Sequence, residues 1–193
     1  MVLGLTGRYC AGKDEAARIL SKMGWRSIDV DHVGHVVLEE LAPRVIQAFG
    51  KGVVGPDGRI DRKALGRVVF RDPARLTALE GILHPGMAAH VRRWIAENPG
   101  NVVVNAAVLG KMGLDRDCQA VLYVTAPVLV RAARARKRDG LSFGRALCKV
   151  LRQGGISLKS GSRSVDTYVV RNRGSRDALE RSVRALMERI QKG

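Results

Sequence analysis

The sequence predicts an α/β fold: a doubly wound, five-stranded parallel sheet that carries a helical insertion and a helical lid. Three observations lead there. Short apolar runs of strand length recur at residues 2–6, 25–31, 102–109, 119–126 and 167–172. Stretches of helical periodicity separate them, as parallel strands joined by crossovers require. Two of the runs, "VVVNAAVL" and "QAVLYVTA", are apolar almost throughout, the pattern of strands covered on both faces. At 193 residues and 46% hydrophobic content, the chain is one domain of ordinary size with enough apolar side chains for a real core. Aromatics make up only 4%, so that core is aliphatic.

Each element follows from its residues. "VLGLT" (2–6) is a buried strand ended by Gly7. "KDEAARILSKMG" (13–24) sets Ala16, Ala17, Ile19, Leu20 and Met23 near helical spacing, with acids early, Lys22 late and a glycine stop. "WRSIDVD" (25–31) is a second strand that ends in acids. Residues 32–100 are too many for one crossover helix. They hold five helical pieces, "VGHVVLEEL", "PRVIQAFG", "RKALGRVVF", "DPARLTALEGIL" and "PGMAAHVRRWIAE", with a turn signature, "GPDGRID", among them. We read 32–100 as a helical insertion. Residues 127–165 form a second excursion, the lid: two basic helices, then a Gly/Ser/Lys stretch with the composition of a mobile segment. The last helix, 175–190, places Leu179, Val183, Leu186, Met187 and Ile190 on one face, against the sheet. Core segments 1–31, 101–126 and 166–193 thus make a single domain with the two excursions, and no internal repeat is present.

Charge and composition narrow the function classes. Lys and Arg number 34 against 18 Asp and Glu, a formal net charge of +16. A field of that sign draws polyanions, nucleic acid or small polyphosphates alike. Aromatic stacking platforms for single strands are mostly missing, so charge alone does not choose. No apolar run approaches the ~18 residues of a membrane span, and "MVLGLTG" lacks the basic leader of a signal peptide. Cys10, Cys118 and Cys148 show no CxxC spacing and cannot all pair, which favours a reducing compartment, hence the cytoplasm.

The chemistry gathers at the first turn. Gly7-Arg-Tyr-Cys-Ala-Gly12-Lys13 fits GxxxxGK between a strand and a helix. There the glycines let backbone N–H groups face phosphate oxygens, Lys13 adds a point charge, and the helix N-terminus adds its dipole. The bland alternative is a glycine-rich turn that starts a helix. Cys10 is either a thiol whose pKa the loop dipoles lower or only a small loop residue. Asp14 departs from the usual hydroxyl at its position. It ligates Mg²⁺ directly, ligates it through water, or complements the helix dipole with no metal role; all three readings stay open. Asp29 and Asp31 end the second strand, where ligands of such sheets bind, and one of them can accept a hydroxyl proton. The bland reading makes an aspartate there the N-cap of the next helix, and Asp31 with His35 at i, i+4 is a third, metal-ligating one. Arg131, Arg134 and Arg138 share one face of the first lid helix, as do Arg145, Lys149 and Arg152 of the second. Two such faces can close over polyphosphate, or be merely solvated.

Together these strings resemble the dephospho-CoA kinase family over nearly the whole chain. The matches are "GLTG" and "AGK", "IDVD", "GRIDRKALGRVVF", "LEGILHP", "LYVTAP", "RDGLS" and a looser "VVRNRGS". "IDRKAL" followed by "LHP" (83–85) is the most specific, because generic nucleotide kinases lack it. The resemblance implies a P-loop kinase that moves the γ-phosphate of ATP, with Mg²⁺, to the 3′-hydroxyl of dephospho-CoA in the last step of coenzyme A synthesis. It implies Lys13, Asp31 and Arg138 as catalytic, with Asp31 the base. It places Gly7, Cys10, Ala11, Gly12, Lys13, Asp14, Glu15, Arg134 and Asn172 around ATP, with Asn172 to Gly174 by the adenine, and Asp31, His84 and Pro85 at the substrate, with the insertion binding its CoA part. ATP and dephospho-CoA are the partners, with no nucleic acid or membrane, and the chain is a monomer or weak homo-oligomer. Asp14 would be the metal residue. Three departures accompany the match. Asp14 replaces the loop hydroxyl; Ala107 and Lys111 in "AVLGK" replace a proline and an acid; and the distal lid arginine after the Gln is not recognisable, with Lys159 or Arg163 as its candidate substitute. Two rival readings remain: a weakly active or inactive nucleotide- or RNA-binding protein on this fold, and a kinase for another nucleoside-type acceptor.

Overall fold

Five parallel strands lie in the order β2-β3-β1-β4-β5, with β1 (Val2–Gly7) in the middle. The computed structural model describes residues 1–152 and 165–192. β1 lies between β3 (Val102–Asn105) and β4 (Ala120–Thr125), while β2 (Arg26–Asp29) and β5 (Asp166–Arg171) form the edges. Both neighbours of β1 are buried along nearly their whole length, as their continuous apolar runs require. The loop that leaves β1 therefore opens at the carboxyl ends of the central strands, where sheets of this kind bind ligands.

Two helices close one face of that sheet. α1 (Lys13–Lys22) and α8 (Arg176–Lys192) join Leu3, Leu5, Val103, Leu122 and Val124 in one aliphatic core through Ile19, Leu20, Leu179, Val183 and Met187. Truncating a fully buried member such as Met187 to Ala costs roughly 2–5 kcal/mol. The other side of β1, at Gly4, meets Leu109 and Cys118. Leu109 opens the first of two short 3₁₀ turns after β3, Leu109–Met112 and Leu114–Asp117, Cys118 follows the second, and the strand read to residue 109 stops at Asn105. Burial pushes the Cys118 thiol up to about 12, so it is an inert core thiol.

The segment read as the lid begins as a hairpin of α6 (Val128–Asp139) and α7 (Phe143–Arg152), packed through Ala132, Ala135, Ala146 and Val150. Small residues at that seam let two strongly basic helices approach. The segment read as mobile, with Lys159 and Arg163, lies outside the described residues.

The chain divides into two compact units, Met1–Asp29 with Trp94–Gly193, and Val30–Arg93. The second unit is helical: α2 (Val30–Glu40), α3 (Ala42–Phe49), α4 (Arg62–Val69) and most of α5 (Pro73–Glu97). Leu38, Val45, Val53, Ile60, Leu65 and Val69 form its core, with Leu76, Leu79, Ile82 and Leu83 against them. The "GPDGRID" turn is a small loop closed by a Val54–Ile60 bridge. Its last residue, Asp61, caps α4 by accepting from the backbone of Lys63 at 2.9 Å and Ala64 at 3.1 Å. Two further boundaries differ from expectation. The pieces read on either side of Pro85 are one 25-residue helix, because proline removes a single donor and packing of Gly86 against Val37 holds the helix across it. β2 ends at Asp29, so Asp31 lies in the first turn of α2 rather than in the strand.

Candidate active site

The loop between β1 and α1 owes its shape to two glycines. A side chain at Gly7 would put its Cβ 2.4 Å from the Val124 carbonyl oxygen, across the pair that joins β1 to β4. Gly12 has φ 101, and a Cβ there would lie 2.4 Å from Asn172 Nδ2. Neither position accepts another residue. Cys10 takes φ 56, the one non-glycine residue in the left-handed region among those described. Its thiol is pushed up, first by burial and then by Asp139, against the pull of Arg138 and Lys149. The direction, led by burial, runs opposite to the lowered-pKa reading of Cys10.

Lys13 opens α1 with its side chain 14% exposed and gives Nζ to Asn105 Oδ1 at 2.6 Å. Asn105 is buried at the carboxyl end of β3, next to Leu5 of β1. A neutral amide thus fixes the direction of the ammonium without cancelling its charge. Asp14, 67% exposed, forms a longer ion pair with the same ammonium, its carboxylate 3.4 Å from Lys13 Nζ. Glu15, by contrast, is engaged: it pairs with Arg18 at 2.8 Å and accepts from Arg176 through Nε and Nη2, which holds its carboxyl below the usual range.

On one flank of the loop, Ala11 offers its carbonyl oxygen to Arg134 Nη1 at 3.1 Å and Asn172 Nδ2 at 2.8 Å, while Arg134 Nη2 gives to Asn172 Oδ1 at 3.2 Å. Asn172 is itself buried and tied by its backbone to Thr125. Beside this triangle opens a cleft of about 350 Å³ lined by Gly12, Glu15, Arg134, Asn172, Gly174 and Arg176. On the other flank, Arg138 and Lys149 pair with Asp139. Arg131 does not share their face to solvent as the helical spacing suggested: it is 1% exposed, gives Nε to Ala126 O at 3.1 Å, and leaves Nη1 without a partner among the described residues. Burial and Arg8 both lower its pKa.

Residues 7, 10–15, 134, 138 and 172 thus meet around one loop, and Asn105, Arg176, Tyr9 and Asp139 join them without having been singled out. Asn105 carried one signal, a polar residue at the end of an otherwise apolar strand. Asp31, His84 and Pro85 belong to the helical unit, Asp31 exposed in the first turn of α2 and His84 half-buried before Pro85 in α5. No group of three or more His, Cys, Asp or Glu able to hold a metal occurs among the described residues, so the reading of Asp31 with His35 finds no third ligand there. Ala107 accepts from Thr6 Oγ1 at 3.2 Å, and Lys111 lies exposed in the first 3₁₀ turn.

A five-stranded parallel sheet, a glycine-bounded loop after its central strand, a lysine opening the next helix and a basic helical hairpin beside it define a P-loop kinase. The family model for dephospho-CoA kinase matches residues 1–177. The dephospho-CoA kinase of Symbiobacterium thermophilum is 36% identical over 191 residues, covering 95% of this chain and 79% of the relative. A crystal structure from Thermus thermophilus superposes with TM-score 0.80 at 30% identity, over 98% of this chain and 97% of that one. The dephospho-CoA kinase structure from Campylobacter jejuni, at 22% identity and TM-score 0.71 over 100% and 98% of the chains, shares the fold. The chain belongs to the dephospho-CoA kinase family.

Proposed function

We propose that this chain transfers the γ-phosphate of ATP to the 3′-hydroxyl of dephospho-CoA, giving ADP and CoA. The observation that carries the reading is the gathering of Lys13, Arg134 and Arg138 at one loop whose backbone is shaped for phosphate. Phosphoryl transfer passes through a loose transition state, so the protein's task is positioning and charge neutralisation. Lys13, aimed by Asn105, meets the β- and γ-phosphates. Adenine enters the cleft beside Asn172, where Glu15 holds the Arg176 guanidinium along the wall. Arg134 and Arg138 answer the charge of the polyphosphate.

Mg²⁺ accompanies the ATP, and Asp14 fits it. Its carboxylate is exposed at the loop, and a magnesium site needs only one or two carboxylates beside phosphates and water. The ion would neutralise charge on the phosphate oxygens. Asp31 is the base that takes the ribose hydroxyl proton. The insertion, 32–100, binds the CoA part through His84 and Pro85, and residues 127–165 act as the lid. We place the protein in the cytoplasm, as a monomer or weak homo-oligomer.

Purified protein with Mg·ATP is assayed on dephospho-CoA and on a panel of nucleosides, following ADP and CoA. CoA formation, reduced about 10²–10⁴-fold by Asp31→Asn with ATP affinity nearly unchanged, is expected. Phosphorylation of a nucleoside in preference to dephospho-CoA would assign another acceptor. Nucleotide binding without turnover would make the protein a degenerate binder.

A further inference from the structure

Tyr9 sits inside the phosphate loop of a chain with few aromatics, and its surroundings come from the lid. Arg138 Cζ lies 4.7 Å from its ring centroid and Lys149 Nζ 4.9 Å, so two lid cations meet one ring. Its hydroxyl donates to Asp139 Oδ2. The same carboxylate accepts Lys149 Nζ at 2.8 Å and Arg138 Nε at 2.9 Å. Asp139 is the last residue of α6, and Gly140 at φ 65 turns the chain towards α7. One carboxylate, 19% exposed, therefore collects donors from α6, α7 and the loop. Tyr9 and Cys10 also pack against the alanine seam of the hairpin.

Two cations on one carboxylate leave an excess of one positive charge. Asp139 engages Arg138 through Nε, which leaves the Nη edge of the guanidinium to meet an anion. Burial and the neighbouring carboxylate push the Tyr9 phenol up, so it stays protonated and keeps donating.

We propose that Tyr9 and Asp139 are positioning residues for the transfer: they form a post beside the phosphate loop that acts on the rate by fixing Arg138 in direction before nucleotide binds, with Lys149 holding the carboxylate from the other helix. The inference rests on the reading above in which Arg138 neutralises phosphate charge. A preset guanidinium needs no reorganisation at the moment of transfer. The arrangement has a signature that a merely structural role lacks. Removing the carboxylate adds net positive charge to the site, which favours ATP binding, while it loses the direction that favours the transition state. Rate and affinity then move apart.

The test is steady-state kinetics of the full chain with Mg·ATP and dephospho-CoA. Asp139→Asn is expected to lower kcat about tenfold or more, while KM for ATP stays level or falls. Asp139→Glu restores part of the rate. Tyr9→Phe, which keeps the ring and loses the donor, lowers kcat by about a few-fold. In the Arg138→Ala background, D139N adds less than about twofold, because both act through one group. Should D139N fail to fold, Y9F combined with R138A carries the same test of coupling. An impaired R138A beside a D139N within about twofold of wild type, or losses that multiply, overturns the post alone. An R138A with wild-type turnover overturns the role of the arginine, and the post with it.

Discussion

Arg134 and Arg138 stand one turn apart on the same helix, yet the two flanks of the loop treat them differently. Arg134 is bonded to neutral acceptors, the Ala11 carbonyl and the Asn172 amide. Arg138 is bonded to a carboxylate and lies over an aromatic ring. The first arrangement orients a charge and leaves it whole. The second orients a charge and halves the field of the cation pair around it. On the proposed function, a guanidinium kept whole is expected to add mainly to nucleotide affinity, and one held against its own counter-ion mainly to the rate, through direction. Residue type and helical spacing are equal at the two positions, so the partner decides.

The largest effect lies where the flanks meet. On the proposed function, Lys13→Ala removes a charge that meets the transferring phosphate, and kcat should fall at least ~10²-fold. Asn105→Ala keeps that charge but frees its direction, so a smaller loss, about tenfold, is expected. Equal losses would mean that the amide does more than aim the lysine. Wild-type turnover in K13A would remove the loop from the mechanism.

The two arginines should then respond differently to truncation. Arg134→Ala loses two charged hydrogen bonds and an uncompensated cation, so KM for ATP should rise roughly 10- to 100-fold with a smaller change in kcat. Arg138→Ala should show the reverse split. Matching splits in the two variants would erase the distinction between the flanks.

A smaller effect is expected at Asp14, which belongs to neither flank. If it holds Mg²⁺, Asp14→Ala raises the Mg²⁺ concentration for half-maximal activity, and Asp14→Ser recovers much of the wild-type behaviour. The helix-dipole reading limits the change to about 1 kcal/mol of stability and leaves the Mg²⁺ dependence unaltered. Superimposable Mg²⁺ titrations would leave Asp14 as a helix start.

Much of the fold was legible because its signals are local. Continuous apolar runs mark β3 and β4, and the spacing of Leu179, Val183 and Met187 marks the helix that closes the sheet. The loop was legible because its glycines are dictated by backbone geometry at Gly7 and Gly12. What stayed hidden depends on residues far apart in the chain. Tyr9 meets Asp139 across 130 positions, Lys13 meets Asn105 across 92, and Glu15 meets Arg176 across 161. No periodicity within a segment encodes such a pairing. Arg131 shows the same limit from the other side: the spacing that groups it with Arg134 and Arg138 says nothing of its burial against the Ala126 carbonyl.

The smallest expected effect compares one carboxylate from each flank. Arg138 first, then Lys149 and Tyr9, hold the Asp139 carboxyl well below its ordinary range; Arg176 first, and Arg18, hold Glu15 below its own by less. A depressed pKa in the folded state contributes stability that is present above the unfolded value, about 3.9 for Asp and about 4.3 for Glu, and is lost as pH falls through the folded one. Both contributions are therefore complete at neutral pH and disappear only in acid. Unfolding in urea from pH 7 down to about pH 3 then reads them separately. The stability gap between wild type and D139N should stay constant above about pH 5 and begin to close below about pH 4. For Glu15→Gln the closing should start slightly higher, near the unfolded Glu value, and finish sooner, because its carboxyl is displaced less. A D139N gap that stays constant down to pH 3 would mean that the carboxylate is not paired in the folded protein, and that the lid flank is not held as described. A gap for E15Q that outlasts the one for D139N would reverse the order of the two flanks.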